Sequence, residues 1–328
     1  MSEPLLAVDD LTVTIGGVPV VDGVGFSMGH REVLALVGES GCGKSLTAMA
    51  LLRLLPSAAR LSAGAIRLDS RDLASLSEKE MRRIRGEAIS IIFQEPTASL
   101  DPLATVGSQI VEAYRTHRAA SYAQARQVAR EMLDAVGIPD AERRLDQYPF
   151  ELSGGMCQRI MIAIALICGP SLLVADEPTT ALDVTIQAQI LDLMRKLVAE
   201  RGASILIITH DMGVVADIAD RVAVMYAGRI VEIAPAEDLF REPRHPYTAL
   251  LLASVPRLDV KPKAILATIE GSVPSLQDFG PACRFAGRCP LAVARCLETS
   301  PPLVELGTGH AAACWRSVDV PSLSETGP

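Results

Sequence analysis

Short apolar runs alternate with polar turns in the first part of the chain. The runs lie at residues 5–8, 11–15, 18–21 and 65–68, and Asp-Asp and Gly-Gly pairs separate the first three. Short apolar runs bounded by turn residues are typical of antiparallel hairpins. The pattern therefore predicts an antiparallel β subdomain near the N-terminus.

Four other runs are apolar apart from Ser90 and Ser204, at residues 33–37, 88–93, 172–175 and 204–208. Strands that are buried on both faces of a parallel sheet have this composition. Between them, apolar residues recur at helical spacing, and capping residues, glycine or proline mark the helix ends. The predicted helices cover about 45–55, 77–86, 121–137, 159–168 and 186–201, and a predicted hairpin covers 222–226 and 229–233.

These elements predict an α/β protein with a mostly parallel sheet. A more polar and helical stretch follows the second parallel strand, and we expect a helical subdomain over residues 97–165. The composition changes after Ala234, where prolines become frequent and four of the seven cysteines follow. We therefore predict one large domain over 1–234 and a small, irregular C-terminal domain over 235–328.

Composition and charge narrow the class of protein. The chain has 328 residues, of which 49% are hydrophobic and 21% are charged, as is ordinary for a globular protein with a large core. Its net charge of −8 provides no basic surface for nucleic acid. The first residues lack the basic and apolar segments of a secretory signal, so we expect reduced cysteines that act as ligands or core residues.

Residues 38–45 read Gly-Glu-Ser-Gly-Cys-Gly-Lys-Ser and match the phosphate-binding pattern G-x-x-x-x-G-K-[ST]. Glycines let successive backbone N–H groups turn toward an anion without a Cβ in the way. The loop joins a predicted strand to a predicted helix, whose positive end would face the phosphates. In this pattern Lys44 reaches the β- and γ-phosphates and the Ser45 hydroxyl binds Mg²⁺. The predicted nucleotide-binding residues are Gly38, Glu39, Ser40, Gly41, Cys42, Gly43, Lys44 and Ser45.

Polar residues follow three of the predicted parallel strands at their carboxyl ends, where ligands gather in an open sheet. Gln94 could bridge the metal ion, the attacking water and a moving domain. Asp176 is suited to Mg²⁺, and Glu177 beside it is suited to polarise the attacking water. His210 could hold the γ-phosphate side. These residues are the predicted catalytic and Mg²⁺-binding groups, together with Ser45.

A second candidate anion site lies in the middle of the chain. Ser153, Gly154 and Gly155 come just before a predicted helix. A hydroxyl and two glycines at a helix start suit the binding of negative charge. This site has no phosphate loop of its own, since the chain contains no second copy of that motif.

The order of these motifs resembles that of the ATP-binding cassette (ABC) ATPases over residues 5–233. The resemblance is carried by the Walker A loop (38–45), Gln94 of the Q-loop, the Leu-Ser-Gly-Gly signature (152–155), the Walker B end with Glu177, the D-loop (181–183) and the switch histidine His210. It implies a P-loop NTPase (RecA-like) fold and an ATPase that uses ATP and Mg²⁺. It also implies that Ser153, Gly154, Gly155 and Met156 cover the nucleotide of a partner subunit, next to the D-loop residue Asp183.

Within this family, the chain is similar to the ATPase subunits of peptide and nickel importers. The similar segments are 93–96, 100–102, the signature with Gln158-Arg159, 181–185, 244–248 and the C-terminal cysteine pattern. The similarity implies that ATP hydrolysis powers import of di- or oligopeptides, with nickel or another small solute as the alternative. The implied partners are a second, related ATPase chain, two membrane permeases and an extracytoplasmic binding protein. The implied location is the cytoplasmic face of the inner or plasma membrane, where the permeases hold the chain peripherally. Ile15 departs from the family, which often has an aromatic residue there to stack on adenine.

The four C-terminal cysteines are Cys283, Cys289, Cys296 and Cys314. Their spacing lacks the close pairs of common zinc sites and the short gaps of common iron–sulfur motifs. Spacing alone leaves a metal site and buried thiols as alternatives. The family resemblance implies a [4Fe–4S] cluster, with zinc as the alternative. Residues 244–248, Arg-His-Pro-Tyr-Thr, mark the importer group but have no chemical role that the sequence reveals.

Two other functions compete with the importer ATPase. One is a soluble, non-transport ABC ATPase acting on nucleic acid or ribosomes, and the acidic net charge and the single cassette argue against it. The other is a binding module with a degenerate ATPase, in which the cysteine region senses iron or redox state. The intact Lys44, Asp176, Glu177 and His210 argue against degeneracy.

Overall fold

The computed structural model describes residues 3–180, 183–255, 269–273 and 279–321. The strands are β1 (Leu6–Ile15), β2 (Val18–Met28), β3 (Val33–Val37), β4 (Ala59–Leu68), β5 (Arg71–Asp72), β6 (Ile89–Ile92), β7 (Leu172–Asp176), β8 (Ser204–Thr209), β9 (Arg221–Tyr226), β10 (Arg229–Pro235), β11 (Val304–Gly307) and β12 (His310–Ala312). The helices are α1 (Lys44–Leu51), α2 (Glu78–Ile84), α3 (Pro96–Ser99), α4 (Val106–His117), α5 (Tyr122–Ala135), α6 (Ala141–Leu145), α7 (Gly154–Leu166), α8 (Val184–Arg201), α9 (Met212–Ile218), α10 (Ala236–Arg241), α11 (Pro246–Ala253) and α12 (Ala294–Glu298).

The chain forms two compact units, each built from separate segments. The phosphate-loop unit consists of Leu6–Met28, Val33–Arg71 and Thr209–Pro328. The signature unit consists of Met1–Leu5, Gly29–Glu32 and Asp72–Ile208. The predicted division of the chain into domains at residue 234 stays a prediction.

The antiparallel subdomain predicted near the N-terminus is present in the phosphate-loop unit. Strand β1 pairs antiparallel with β2 on one side and with β4 on the other. The separation of two predicted runs at Asp9-Asp10 is wrong, because β1 continues through both residues. The register with β2 shifts there, and Asp10 has a positive φ of 48°. This local irregularity allows the strand to continue through the two aspartates.

A second sheet in the phosphate-loop unit supports the phosphate loop. Strand β3 runs parallel to β9, and β9 and β10 form the predicted antiparallel hairpin. The C-terminal region adds two strands that were not predicted. Glu232 and Ile233 of β10 pair with Ala312 and Ala311 of β12, and β11 pairs with β12. The C-terminal residues thus extend this sheet beyond β10, so that β11 is the strand at its edge.

The signature unit contains the parallel strands β6, β7 and β8, in that order, and β7 and β8 are buried throughout. Buried parallel strands were predicted from their continuous apolar composition, and this is confirmed. Helices α4, α5, α6 and α7 pack on one another. The capping boxes predicted for α2 and α5 are present, with Ser77 and Ser121 as the N-cap residues.

Two predicted helix boundaries are wrong. Helix α7 begins at Gly154 rather than at residue 159, because Ser153 caps the glycine-containing first turn. Helix α1 ends at Leu51 rather than at residue 55, because the chain reverses at Arg53, whose φ is 52°. Within the described part of the chain, none of the helices combines the length and apolar composition needed to cross a membrane.

Candidate nucleotide-binding site

The phosphate loop connects β3 to α1 and requires glycine at two positions. Gly38 has a φ of 152°, and a Cβ there would lie 2.1 Å from the carbonyl oxygen of Met225. Gly43 caps α1 with a φ of 104°, and a Cβ there would lie 3.1 Å from the carbonyl oxygen of Val20. A larger residue at either position would force the loop away from the strands that support it.

Lys44 holds its ammonium group inside the loop. Its Nζ donates hydrogen bonds to the carbonyl oxygens of Gly38 (2.8 Å) and Glu39 (3.0 Å), and only 5% of the residue is exposed. A buried ammonium ion needs such acceptors, because burial removes its water. Burial also raises the pKa of the neighbouring Cys42 thiol, which favours its neutral form. Lys44 therefore places one positive charge inside the loop that is predicted to bind the phosphates.

Gln94 and Glu177 come from different strands and meet in the structure. Gln94 Nε2 donates a hydrogen bond to Glu177 Oε2 at 3.0 Å, and the Thr180 hydroxyl donates to the same oxygen at 2.9 Å. Glu177 has a φ of 48°, which residues other than glycine rarely adopt. Its backbone N–H donates to the carbonyl oxygen of Ile208 at 2.9 Å. A strained residue held by several contacts is common at functional sites, and here the contacts orient the carboxylate.

Asp176 ends β7 and is buried, as expected for an aspartate at the carboxyl end of an inner strand. It belongs to the signature unit with Gln94, whereas Ser45 belongs to the phosphate-loop unit. The joint binding of Mg²⁺ by these three residues stays a prediction.

The signature residues form an open helix end. The Ser153 hydroxyl accepts a hydrogen bond from the Met156 N–H at 3.4 Å, and Ser153 and Gly154 are exposed. A Cβ on Gly154 would meet no atom within 4 Å. The N-terminal end of α7, thirteen residues long, therefore faces open space and could receive an anion.

Gln158 and Thr180 have site contacts that the sequence analysis did not find. The buried Gln158 amide, one helical turn into α7, donates a hydrogen bond to the carbonyl oxygen of Pro178. This bond ties the signature helix to the turn that follows Asp176 and Glu177. In the sequence, Gln158 served only to identify the family, and Thr180 matched no motif. Neither contact could be predicted, because neither follows from the spacing of nearby residues.

Asp183 and His210, the predicted D-loop residue and switch histidine, are both exposed. Asp183 caps α8, since its Oδ1 accepts the Ile186 N–H at 3.0 Å. Ala181 and Leu182 of the predicted D-loop lie outside the described residues. His210 directly follows β8 and precedes Asp211, the N-cap of α9. Their catalytic roles stay predictions.

The four C-terminal cysteines are free thiols. Burial raises the pKa of Cys283 and Cys289, and raises that of Cys314 to about 11. The other three thiols contribute to the rise at Cys314, so their charges would repel one another. The Cys283 N–H also donates to the carbonyl oxygen of Cys296 at 2.9 Å.

These thiols do not form a site for a single metal ion. Among the described residues, which include all four cysteines, no group of three or more His, Cys, Asp or Glu side chains is arranged to hold one. A zinc ion needs its sulfur ligands about 2.3 Å away in a tetrahedron. The arrangement therefore lends no support to the zinc alternative.

Two family models match the chain. A model described as ABC transporter matches residues 21–180, and one described as oligopeptide/dipeptide transporter, C-terminal region, matches residues 231–296. Among solved structures, a dimeric post-hydrolysis state of an ATP-binding cassette bound to ADP and Pi is similar, with a TM-score of 0.63 and 26% identity. That likeness covers 70% of this chain and 98% of the other. The chain therefore belongs to the ABC ATPases and has their P-loop NTPase fold.

Relatives with curated names narrow the group. A protein of Sinorhizobium fredii, named a probable peptide ABC transporter ATP-binding protein, is 54% identical over 92% of this chain and 90% of its own length. The dipeptide transport ATP-binding protein DppD of Bacillus subtilis is 50% identical over 95% of each chain. Within the ABC ATPases, the chain belongs with the ATP-binding proteins of peptide transporters.

Proposed function

We propose that the phosphate loop binds ATP and that Glu177 polarises the water that attacks the γ-phosphate. The observation that carries this proposal is the arrangement of Gln94 and Thr180 around one Glu177 carboxylate oxygen, which orients the other oxygen. Lys44 supplies positive charge to the phosphates, and His210 is proposed to contact the γ-phosphate. A positioned base of this kind contributes about two to four powers of ten in rate.

Mg²⁺ is the metal ion that this chemistry calls for. Ser45, Gln94 and Asp176 offer the hydroxyl, amide and carboxylate oxygens that a hard cation prefers. When bound, Mg²⁺ neutralises charge that develops on the phosphates. The chain's own residues then orient the nucleotide and the attacking water.

The signature site supports a partnership with a second ATPase. Ser153, Gly154 and the helix end behind them are exposed and suited to an anion, but they belong to the unit without the phosphate loop. The similar solved cassette bound to ADP and Pi is a dimer. We propose that these signature residues cover ATP bound to a related but different ATPase chain, with Asp183 of the D-loop beside it.

The wider role proposed is to power import of di- or oligopeptides at the cytoplasmic face of the inner membrane. Support comes from the relatives, which are named for peptide and dipeptide transport, and from the match to the C-terminal region of oligopeptide/dipeptide transporters. Two membrane permeases and an extracytoplasmic binding protein would complete the importer. Nickel or another small solute remains the alternative cargo.

Cells that carry Glu177→Gln in place of the native residue would test this role. Uptake of labelled di- and tripeptides should be lost, and uptake of labelled nickel should be unchanged. Glu200→Gln is a matched control, because Glu200 is an exposed carboxylate of α8 whose nearest ion pair is a surface contact. Normal peptide uptake together with lost nickel uptake would establish the alternative cargo.

We also propose a [4Fe–4S] cluster at Cys283, Cys289, Cys296 and Cys314. Support comes from the family resemblance and from the closeness of the thiols, since the other three add to the rise that burial causes in the pKa of Cys314. If a cluster is bound, the four thiolates would be its ligands. Protein purified without oxygen should contain iron and sulfide in equal amounts, and Cys289→Ser should lose both. Colourless protein with neither element would show that these thiols are packing residues.

A further inference from the structure

Two residues of the C-terminal region hold one residue of the phosphate loop. Arg288 forms a bidentate ion pair with Glu39, with Nη1 2.7 Å from Oε2 and Nη2 3.0 Å from Oε1. The Tyr247 hydroxyl oxygen accepts the Glu39 backbone N–H at 2.9 Å. The Glu39 carbonyl oxygen in turn accepts a hydrogen bond from Lys44. Glu39 is therefore held at its side chain, its N–H and its carbonyl group, all within the phosphate-loop unit.

The Arg288 side chain is buried rather than exposed at the surface of the protein. It is only 6% exposed, and the ion pair with Glu39 raises its pKa. It also donates hydrogen bonds to the Tyr226 hydroxyl and to the carbonyl oxygens of Ile269 and Glu270. The Glu39 side chain is 28% exposed, so the pair is partly buried. Bidentate arginine–carboxylate pairs are among the strongest and most directional polar contacts in proteins.

The Tyr247 side chain, like that of Arg288, is held in place by the residues around it. Its ring is fully buried, with centroids 4.7 Å from Tyr226 and 5.4 Å from Phe285. His245 caps α11 by accepting the Tyr247 N–H at Nδ1, 3.1 Å away. Burial raises the pKa of Tyr247, so its hydroxyl keeps its proton. The segment 244–248, for which the sequence revealed no role, thus anchors the phosphate loop through Tyr247.

The charge of Glu39 explains why such an anchor matters. A carboxylate in a phosphate-binding loop repels the phosphates through a partly buried, low-dielectric environment. Arg288 offsets the charge of that carboxylate through its two hydrogen bonds to the carboxylate oxygens. The Tyr247 hydroxyl oxygen accepts the Glu39 N–H, and this hydrogen bond fixes the orientation of the peptide group between Gly38 and Glu39. The N–H groups that are predicted to face the phosphates follow this peptide group in the loop.

We propose that Arg288 and Tyr247 are positioning residues for ATP, through which the C-terminal region sets the nucleotide affinity of the phosphate loop. This inference rests on the proposed ATP site. Neither residue is assigned contact with the nucleotide, since both act through Glu39.

Equilibrium binding of a fluorescent ATP analogue and steady-state ATPase kinetics on the full chain would test the proposal. Arg288→Gln should raise both the Kd and the KM about tenfold or more, with kcat within twofold of wild type. Tyr247→Phe removes one neutral hydrogen-bond partner and should raise the KM about threefold. Arg241→Gln is the matched control, because Arg241 forms only exposed ion pairs within α10, and it should bind and turn over like wild type.

A double variant separates positioning from general damage. The double variant Arg288→Gln/Glu39→Gln also lacks the Glu39 charge that Arg288 compensates in the wild type. Its ATP affinity should return to within about threefold of wild type, because no carboxylate then repels the phosphates. A merely structural loss would not be rescued in this way. Wild-type KM in Arg288→Gln, or a double variant no better than the single one, would overturn the proposal.

Lys44→Ala distinguishes this inference from the ATP site on which it rests. If Lys44→Ala binds ATP like wild type, the proposed site itself is wrong. If Lys44→Ala loses binding while Arg288→Gln keeps it, the site stands and only the positioning role fails.

Discussion

Glu177 combines backbone strain and predicted chemistry in one residue. Its left-handed conformation aims the carboxylate, and Gln94 and Thr180 hold one of its oxygens. Gln94 and Glu177 are 83 residues apart in the chain, so their contact depends on the pairing of β6 with β7. The site therefore depends on single side chains whose positions come from neighbouring strands.

Replacing Glu177 with Gln tests its role directly. The amide keeps the size and one oxygen of the carboxylate but cannot accept a proton from water. Phosphate release should fall by about two to four powers of ten, while ATP binding is retained. Glu200→Gln should behave like wild type in the same assay. Turnover of Glu177→Gln within a factor of two of wild type would contradict the role.

Ile15 provides a second test at a single position. It lies at the end of β1 and is 37% exposed. The family resemblance predicts that it lies where an aromatic ring often stacks on adenine. Base–aromatic stacking contributes about 1 kcal/mol or more, so Ile15→Tyr should raise ATP affinity about fivefold or more. Binding of inorganic tripolyphosphate should not change, because it has no base. An equal gain for both ligands, or none for ATP, would show that Ile15 is not at the adenine position.

Helix α11 shows how a buried side chain can cap an element. His245 is fully buried, and burial lowers its pKa to about 3 from an ordinary value near 6.5. The neutral imidazole can accept the Tyr247 N–H, whereas an imidazolium has no acceptor. The cap therefore depends on the absence of a proton, and the end of α11 that holds Tyr247 depends on the cap.

This makes stability depend on pH. The unfolded chain binds a proton at His245 below about pH 6.5, but the folded chain does not until about pH 3, so stability falls as the pH falls between these values. Between pH 7.5 and 5.5 the loss should be about 1.4 kcal/mol. His245→Asn keeps a capping oxygen without a titrating group, so it should lack this part of the loss. Urea unfolding of both proteins at the two pH values measures the difference, and equal losses would contradict it.

The predicted catalytic groups are distributed over two units of the chain. The phosphate-loop unit contains Lys44, Ser45 and His210, and the signature unit contains Gln94, Asp176, Glu177 and the signature residues. The proposed mechanism uses groups from each unit. The proposed role of the signature residues at the nucleotide of a related ATPase chain would make full activity depend on that second chain.

The isolated chain should therefore be mainly monomeric and have weak ATPase activity. Sedimentation with and without ATP should give a mass near 34.9 kDa, and addition of the related ATPase chain should form a faster species with higher activity. The Glu177→Gln variant should stabilise that pair by preventing turnover. A tight homodimer with full activity and no second chain would contradict the hetero-pair.

Much of the fold and part of the site could be predicted because the signals are local. The loop at 38–45, the capping boxes at Ser77 and Ser121 and the buried strands each depend on residues within one turn or one strand. Backbone conformation, capping and burial follow from such short-range patterns. The ABC family was predicted from these local motifs and their order, and the comparisons confirm it.

Only the tertiary structure decided which distant residues act together. Arg288 and Glu39 are 249 positions apart, and no periodicity in the sequence links them. The addition of β12 to β10 and the anchoring role of Tyr247 likewise came from packing. The physical reason is that local patterns specify which face of an element is buried, whereas ion pairs and strand neighbours depend on how separate elements meet. The sequence by itself therefore determined the phosphate loop, and the tertiary structure determined what holds it in place.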